Sequence, residues 1–259
     1  MCRHIGYIGK NQSIDSSFID KSHSLIKMAY APKEMKEAIL NADGFGFGWL
    51  NKSSFYLYKC PLPIWNDMNL AAVTKNVKSN LMIGSVRSAT LIDNLSRNHT
   101  HPFIYSKYLF SHNGYIKDFN VLFKKKLANK LDKKFLYLMR SFTDSEFLFY
   151  LLMQLIEKEK DIVLAIKKLI EIITRECETA MLNFLLANYD ENKKSMLFAT
   201  RVGINVEPPS LYYLNDTNHK STYVSSERLD KKTWVPFREN TLLKCEEENI
   251  NFEYKLDKF

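Results

Sequence analysis

A cysteine at the second position can become the first residue of a chain, because removal of Met1 would leave the Cys2 α-amino group within reach of its own thiol. An α-amine titrates near ~8 and an ordinary thiol near ~8.5, so the amine can take the thiol proton at neutral pH without a histidine partner. One residue would then supply nucleophile and base. Position alone does not demand this, since an inert second-position cysteine is the simpler reading. Other residues give Cys2 something to act on. Arg87, in Ser85-Val86-Arg87-Ser88-Ala89-Thr90, follows a predicted strand and offers a planar fork suited to a carboxylate. His101-Pro102-Phe103 and Phe110-Ser111-His112-Asn113-Gly114 come soon after. An Asn-Gly pair beyond a strand can aim a side-chain amide and a backbone N–H at one point, as an oxyanion hole requires. The same pair is the commonest hairpin-turn signal. Asp144, in Thr143-Asp144-Ser145-Glu146, opens a predicted helix, where it could equally act as the cap.

The elements that must position these groups follow from periodicity. Residues 4–9 read as a strand starting directly after Cys2, and 44–50 and 55–58 as a pair joined by the turn Asn51-Lys52-Ser53-Ser54. Residues 22–28 and 32–40 read as helices, the second opening on Pro32. Residues 81–86 and 108–111 are short strands running into polar clusters. Residues 144–157 and 161–178 carry apolar side chains at the three-and-four spacing of a buried helical face. Thereafter 182–189, 195–200, 211–214, 222–225 and 241–245 read as strands. Strands, then helices, then strands indicate an α+β layered protein rather than repeated βαβ units. The Gly44–Gly48 run lacks the GxGxxG spacing of a nucleotide loop and reads as a turn plus strand.

Bulk properties narrow the function classes. The chain has 259 residues, 46% hydrophobic and 25% charged, enough for one large ordered domain. A net charge of +8 and a pI near 9.1 raise the question of nucleic acid. Scattered lysines, crowded mainly at 124–134, instead read as a solvated helical face, so no nucleic-acid partner is expected. Cys2, Cys60, Cys177 and Cys245 form no CxxC pair, and the six histidines form no HExxH, so no metal, other cofactor or disulfide framework is expected. Cys60, Cys177 and Cys245 read as small buried hydrophobes. No apolar run approaches the ~20 residues of a membrane span, which leaves no membrane partner and a reducing cytoplasm as the expected setting.

Taken in order, Cys2, Arg87, Asn113-Gly114 and Asp144 resemble the class II glutamine amidotransferases, the glutaminase branch of the N-terminal-nucleophile (Ntn) hydrolases. The resemblance implies a four-layer αββα sandwich of two antiparallel sheets, formed by a single domain over residues 2–259. It also implies roles: Cys2 as nucleophile, Asn113 and Gly114 as oxyanion hole, Arg87 for the substrate α-carboxylate and Asp144 for its α-ammonium. Thr90 and His101 join the substrate-binding set. Met1-Cys2-Arg3-His4-Ile5-Gly6-Tyr7-Ile8-Gly9, the Asn41–Trp49 segment and Cys60-Pro61-Leu62-Pro63-Ile64-Trp65 are similar to a stand-alone subgroup that includes the ergothioneine-biosynthesis γ-glutamyl amidohydrolase and glutathione-degrading enzymes. Val224-Ser225-Ser226-Glu227 resembles a late strand of that group and reads as core. Ser85 and His99 depart from the pattern, replacing a histidine and an asparagine, and they bear on the leaving-group side of the pocket. The implied function is hydrolysis of a small-molecule γ-glutamyl amide through a thioester on Cys2. The alternatives are a glutaminase subunit feeding ammonia to a synthase partner and a catalytically silent binding protein. A second copy of the chain is the other partner class left open.

Overall fold

The computed structural model describes residues 2–35, 39–88, 96–191, 195–246 and 250–256. Two seven-stranded antiparallel sheets face each other. Numbered in chain order, the first runs Val235–Pro236 (β12), Tyr212–Asp216 (β10), Ser221–Ser225 (β11), Arg3–Ser13 (β1), Lys78–Val86 (β4), Phe45–Asn51 (β2) and Ser54–Cys60 (β3). The second runs Ile250–Lys255 (β14), Thr241–Glu246 (β13), Met196–Arg201 (β8), Ala180–Asn188 (β7), Tyr108–Ile116 (β6) and Phe103–Tyr105 (β5), with Gly203–Ile204 (β9) pairing on β7. The α-helices are Leu25–Tyr30 (α1), Leu70–Asn76 (α2), Phe119–Lys125 (α3), Lys133–Leu136 (α4), Asp144–Glu159 (α5) and Ile162–Glu176 (α6).

Three apolar clusters define the layers. Ile8, Leu81 and Ile83 of the first sheet meet Leu109, Leu185, Leu197 and Leu243 of the second, forming the core between the sheets. On the far side of the second sheet, Phe110, Leu182, Phe184 and Leu186 pack under α5 and α6. On the far side of the first, Ile5, Tyr7, Phe45 and Met82 pack under α1. The period-two alternation of β7, with Leu182, Phe184 and Leu186 outward and Leu185 and Ala187 inward, lets one strand serve two cores. In α6, Ala165, Ile166, Leu169, Ile170 and Ile173 form one buried stripe, and the Asp161 carboxylate caps its start by accepting from the Leu164 amide at 2.7 Å. The architecture is the αββα sandwich expected.

Several element boundaries differ from the sequence reading. The strand expected at 108–111 continues to Ile116, so Asn113 and Gly114 lie within β6, opposite Asn183 and Leu182, and make no hairpin. The described part of 32–40 is not helical. The amides of Lys33 and Glu34 donate instead to the Glu227 carboxylate, at 2.8 and 3.2 Å. The lysine-rich stretch at 124–134 is broken between the end of α3, a short 3-10 helix at Leu127–Lys130 and the start of α4, with Lys126 and Lys130 paired to Glu176 and Lys134 to Glu157. The turn at Gly44 has φ +111°, a conformation that suits glycine before β2 begins.

One buried carboxylate fixes where the chain begins. Arg3, fully buried, donates Nε to Glu227 at 2.8 Å, and His23 Nε2 lies 2.6 Å from the other Glu227 oxygen. Burial alone would raise the Glu227 carboxyl, but the hydrogen bonds from His23 and the Lys33 amide, with the Arg3 charge, hold it down to about 2. A carboxyl held below its unfolded value stabilises the fold fully above the ordinary carboxylate range, and that contribution is lost as pH falls toward its folded value. The wild-type protein should therefore lose stability between about pH 4.5 and 2 through this group. In Glu227→Gln, thermal melts should show lower stability at pH 7 and a shallower decline on acidification. A slope equal to that of wild type would remove Glu227 from the acid transition.

Candidate functional site

Cys2 is held at the mouth between the sheets by the pairing of β1. Arg3 opposes Val86 and His4 opposes Ser85 in β4, while Ile5 opposes Ser225 in β11. This register sets Cys2 beside the residues leaving β4, and its half-buried thiol donates to the Ser88 carbonyl at 3.8 Å. Arg87 extends the β4 edge by one residue. Its amide donates to the Gly44 carbonyl at 2.8 Å, and its own carbonyl accepts from the Asp43 amide at 3.0 Å. One Nη1–H reaches the Asp43 carbonyl at 3.4 Å, the one hydrogen bond of the five-donor guanidinium fork among the described residues.

Asn113 approaches from the opposite sheet and is fully buried. Its Nδ2 lies 3.5 Å from Ser226 Oγ, while Oδ1 has no partner among the described residues. Ser226 Oγ already accepts the His4 amide at 3.0 Å, so its own proton is available to donate. The two orientations of a side-chain amide have the same shape. Turning the amide so that Oδ1 accepts from Ser226 leaves Nδ2 as a buried donor awaiting an acceptor, which is what an oxyanion site supplies. Gly114 faces the helix layer, where a Cβ would stand 2.0 Å from the Met181 carbonyl oxygen, so no larger residue fits.

Asp144 is the first residue of α5. The cap is Thr143, whose Oγ accepts the Glu146 amide at 3.2 Å, so Asp144 is not spent on capping. One Asp144 oxygen accepts the Ile116 amide at 2.9 Å and the other the Ser145 amide at 2.7 Å. The carboxylate is thus fixed to the end of β6, two residues past Gly114. His101 precedes β5, is 5% exposed and sets its ring 4.9 Å from Phe103. Its Nδ1 has no partner among the described residues. Thr90 lies outside the described residues.

Three buried imidazoles surround the site, each kept neutral. Burial, then His112 and Arg3, bring His4 down to about 3. Burial, with the neighbouring His112 ring and the Arg87 and Lys59 charges, holds His101 well below its ordinary value. Burial also lowers His112, against the opposing pull of Asp144. His112 spends both ring nitrogens, Nδ1 on Ser145 Oγ at 2.8 Å and Nε2 on the Met181 carbonyl at 2.9 Å. Ser85 is buried opposite His4, and His99 Nδ1 pairs with Ser96 Oγ at 2.8 Å.

The sequence reading missed the supporting residues Arg3, His23 and Ser226, and treated Glu227 as core. The only signal was a run of polar residues, Ser225-Ser226-Glu227, ending an apolar strand. Cys177 and Cys245 are buried, and burial pushes the Cys177 thiol up to about 11 and that of Cys245 higher still. Neither suits a nucleophile. Among the described residues no group of three or more His, Cys, Asp or Glu is arranged to hold a metal, and no helix is long and apolar enough to cross a membrane.

Several known proteins are similar to this chain in sequence or in fold. A γ-glutamyl-hercynylcysteine sulfoxide hydrolase of Mycobacterium tuberculosis is 32% identical over 116 residues, 45% of this chain and 50% of that protein. A probable glutamine amidotransferase of Saccharomyces cerevisiae is 31% identical over 167 residues, 61% of this chain and 46% of that protein. The chain spans about half the length of these relatives. Among solved structures, a glutamine aminotransferase class-II domain protein from Silicibacter pomeroyi superposes with a TM-score of 0.71 at 23% identity, covering 99% of this chain and 100% of that one. The glutamine phosphoribosylpyrophosphate amidotransferase of B. subtilis gives 0.68 at 16% identity, covering all of this chain and 50% of that one. These two share the fold. The family described as class-II glutamine amidotransferases matches residues 22–201, and the chain belongs to it.

Proposed function

We propose that this protein is a γ-glutamyl amidohydrolase, with Cys2 as an N-terminal nucleophile once Met1 is removed. The observation that carries the proposal is that Ser226 Oγ links the two sheets at this point: it accepts from the amide of His4, two residues after Cys2 on the β1 strand that pairs with β4, and lies 3.5 Å from Nδ2 of the buried Asn113, whose Oδ1 has no partner among the described residues. Arg87 takes the substrate α-carboxylate and Asp144 its α-ammonium, placing the γ-carbonyl carbon at the Cys2 sulfur. The free α-amine accepts the thiol proton, and sulfur attacks the carbonyl. The resulting oxyanion accepts from Asn113 Nδ2 and the Gly114 amide. The Cys2 ammonium then returns its proton to the departing nitrogen as the C–N bond breaks, leaving a γ-glutamyl thioester. Water, deprotonated by the same amine, attacks the thioester and releases glutamate with the thiol restored.

Residues 2–259 act in this reading as one domain, and Thr90 and His101 complete the substrate-binding set. The name of the M. tuberculosis relative supports a γ-glutamyl group joined to a larger amine, as in ergothioneine-type biosynthesis. All four cysteines are free thiols, which suits a reducing cytoplasm. A second reading, ammonia delivery to a synthase partner, draws support from the B. subtilis amidotransferase, half of whose chain lies outside the match.

Rates for the purified protein on glutamine, glutathione and other γ-glutamyl amides separate these readings, since a dedicated ammonia donor should turn over poorly alone. Cys2→Ala should lower hydrolysis by at least about a thousandfold, and a variant that kept wild-type rates would end the mechanism. Arg87→Lys and Asn113→Ala should divide the kinetics. Loss of the bidentate hold raises KM by about tenfold or more, whereas loss of the oxyanion donor lowers kcat by about 10²–10³. Steady-state kinetics of both variants on one γ-glutamyl substrate would check the division; equal effects on kcat and KM in both would count against the assigned roles.

A further inference from the structure

The candidate catalytic residues lie between two unlike flanks. In the first sheet β1 has β4 on one side and β11 on the other, and in the second β6 has β5 on one side and β7 on the other. The glutamyl anchors share one flank: Arg87 leaves β4, His101 precedes β5, and Asp144 is tied to the end of β6. A γ-glutamyl group held there, with its carbonyl at Cys2 and Asn113, must send whatever lies beyond the amide nitrogen toward the other flank. That flank contains a cavity of about 630 Å³, walled by the start of β7, the end of β8, the 206–212 loop and residues 33–35. A departing ammonia, close in size to water, needs only about 30 Å³.

The cavity wall is built onto the residues that hold the oxyanion site. Asn183, opposite Asn113 in the sheet, donates Nδ2 to the Pro209 carbonyl at 2.8 Å, and Ser210 Oγ donates to the Ser226 carbonyl at 2.8 Å. Arg201 lines the space. Its Nε and Nη2 donate to the Pro209 and Pro208 carbonyls at 2.9 and 3.0 Å, which fix the guanidinium plane while using only part of its five-donor fork. The charged groups Lys33, Glu207 and Glu34, the last accepting from the Tyr212 hydroxyl at 2.7 Å, also line the cavity, with Phe237 and the prolines supplying apolar wall. A held cation beside apolar surface fits a carboxylate next to a side chain. A second groove, of about 750 Å³, lies at the opposite end of the sandwich, where β6 begins and β7 ends, and cannot receive a group leaving Cys2.

We infer that the cavity receives the leaving group and selects amines that carry a carboxylate and an apolar side chain, an α-amino acid or short peptide, with Arg201 anchoring the carboxylate. This rests on the Cys2 reading above and adds to it the class of amine released. No redox step is involved: the C–N bond breaks, and the leaving nitrogen takes its proton from the Cys2 ammonium.

The test compares γ-glutamyl-leucine with γ-glutamyl-leucinamide, which differ only in the carboxylate. In the wild-type protein kcat/KM should favour the acid by about 10- to 100-fold, the worth of one charge-assisted hydrogen-bonded pair. In Arg201→Gln the ratio should fall to near one, and Arg201→Lys should restore part of it. A wild-type ratio near one, or a ratio unchanged in Arg201→Gln, overturns the inference. Labelling of Cys2 by 6-diazo-5-oxo-norleucine, which fills only the glutamyl half, separates the two levels: no label on wild type defeats the Cys2 reading itself, whereas label with a ratio of one defeats only the leaving-group assignment. Should Arg201→Gln fail to take the label, its loop has collapsed and the wild-type ratio alone decides.

Discussion

The Glu227 carboxylate is the constraint on which the site depends. It gathers the Arg3 guanidinium, the His23 ring and the amides of Lys33 and Glu34, and so ties together the first strand, the approach to α1, the segment that follows α1 and the end of β11. Burying an ion pair is costly, and replacing one with apolar groups is often neutral or favourable, so its presence is weak evidence for net stability. Its effect is on position. Arg3 is fully buried with Nη2 unpartnered among the described residues, so loss of Glu227 would leave a buried charge without its counterion. The residue before Arg3 is the candidate nucleophile, and a thiol misplaced by even 1 Å forfeits much of the benefit of a held substrate.

The same end of the sandwich shows why the two sheets must face each other. Cys2 and Arg87 come from the first sheet, while Asn113 and, through the Ile116 amide, Asp144 depend on the second. Neither sheet carries a complete site. Ser226 bridges them, accepting the His4 amide and lying against the Asn113 amide. The apolar core between the sheets, from Ile8 and Ile83 to Leu185 and Leu197, therefore sets the distance between the candidate nucleophile Cys2 and the candidate oxyanion donor Asn113. Packing there is felt at the site because close-packed interiors transmit changes of even one methylene.

Much of this was legible from the chain alone because it rests on local periodicity. The alternation in residues 182–189 and the helical stripe in 161–178 locate β7 and α6 within a few residues, and the polar residues after residue 86 mark one side of the site. What was hidden is non-local. Asn113-Gly114 carries the strongest short-range hairpin signal, yet pairing with Asn183 and Leu182, nearly seventy residues away, keeps it in a strand. Pro32 and its neighbours suggest a helix, but two of their amides are drawn to a carboxylate that no local pattern reveals. Glu227 ends an apolar strand and passes for core until the fold brings Arg3 and His23 to it.

The choice of base follows from the electrostatics of the site rather than from the position of Cys2 alone. A histidine is the usual partner of a thiol nucleophile, and His4, His101 and His112 all lie in this region. Each is buried, and burial disfavours a further proton; His4 and His101 have positive neighbours as well, while at His112 burial outweighs the pull of Asp144. For His4, brought down to about 3, accepting the proton of an ordinary thiol is uphill by on the order of 7 kcal/mol. His112 has both nitrogens engaged, by Ser145 and by the Met181 carbonyl. An α-amine with an ordinary value near ~8 accepts the same proton at a cost below about 1 kcal/mol. The imidazoles therefore stay neutral, and in the proposed mechanism the positive charge offered to a substrate carboxylate is that of Arg87. That division of labour requires the chain to begin at Cys2, because with Met1 attached the nitrogen would be an amide and could accept nothing.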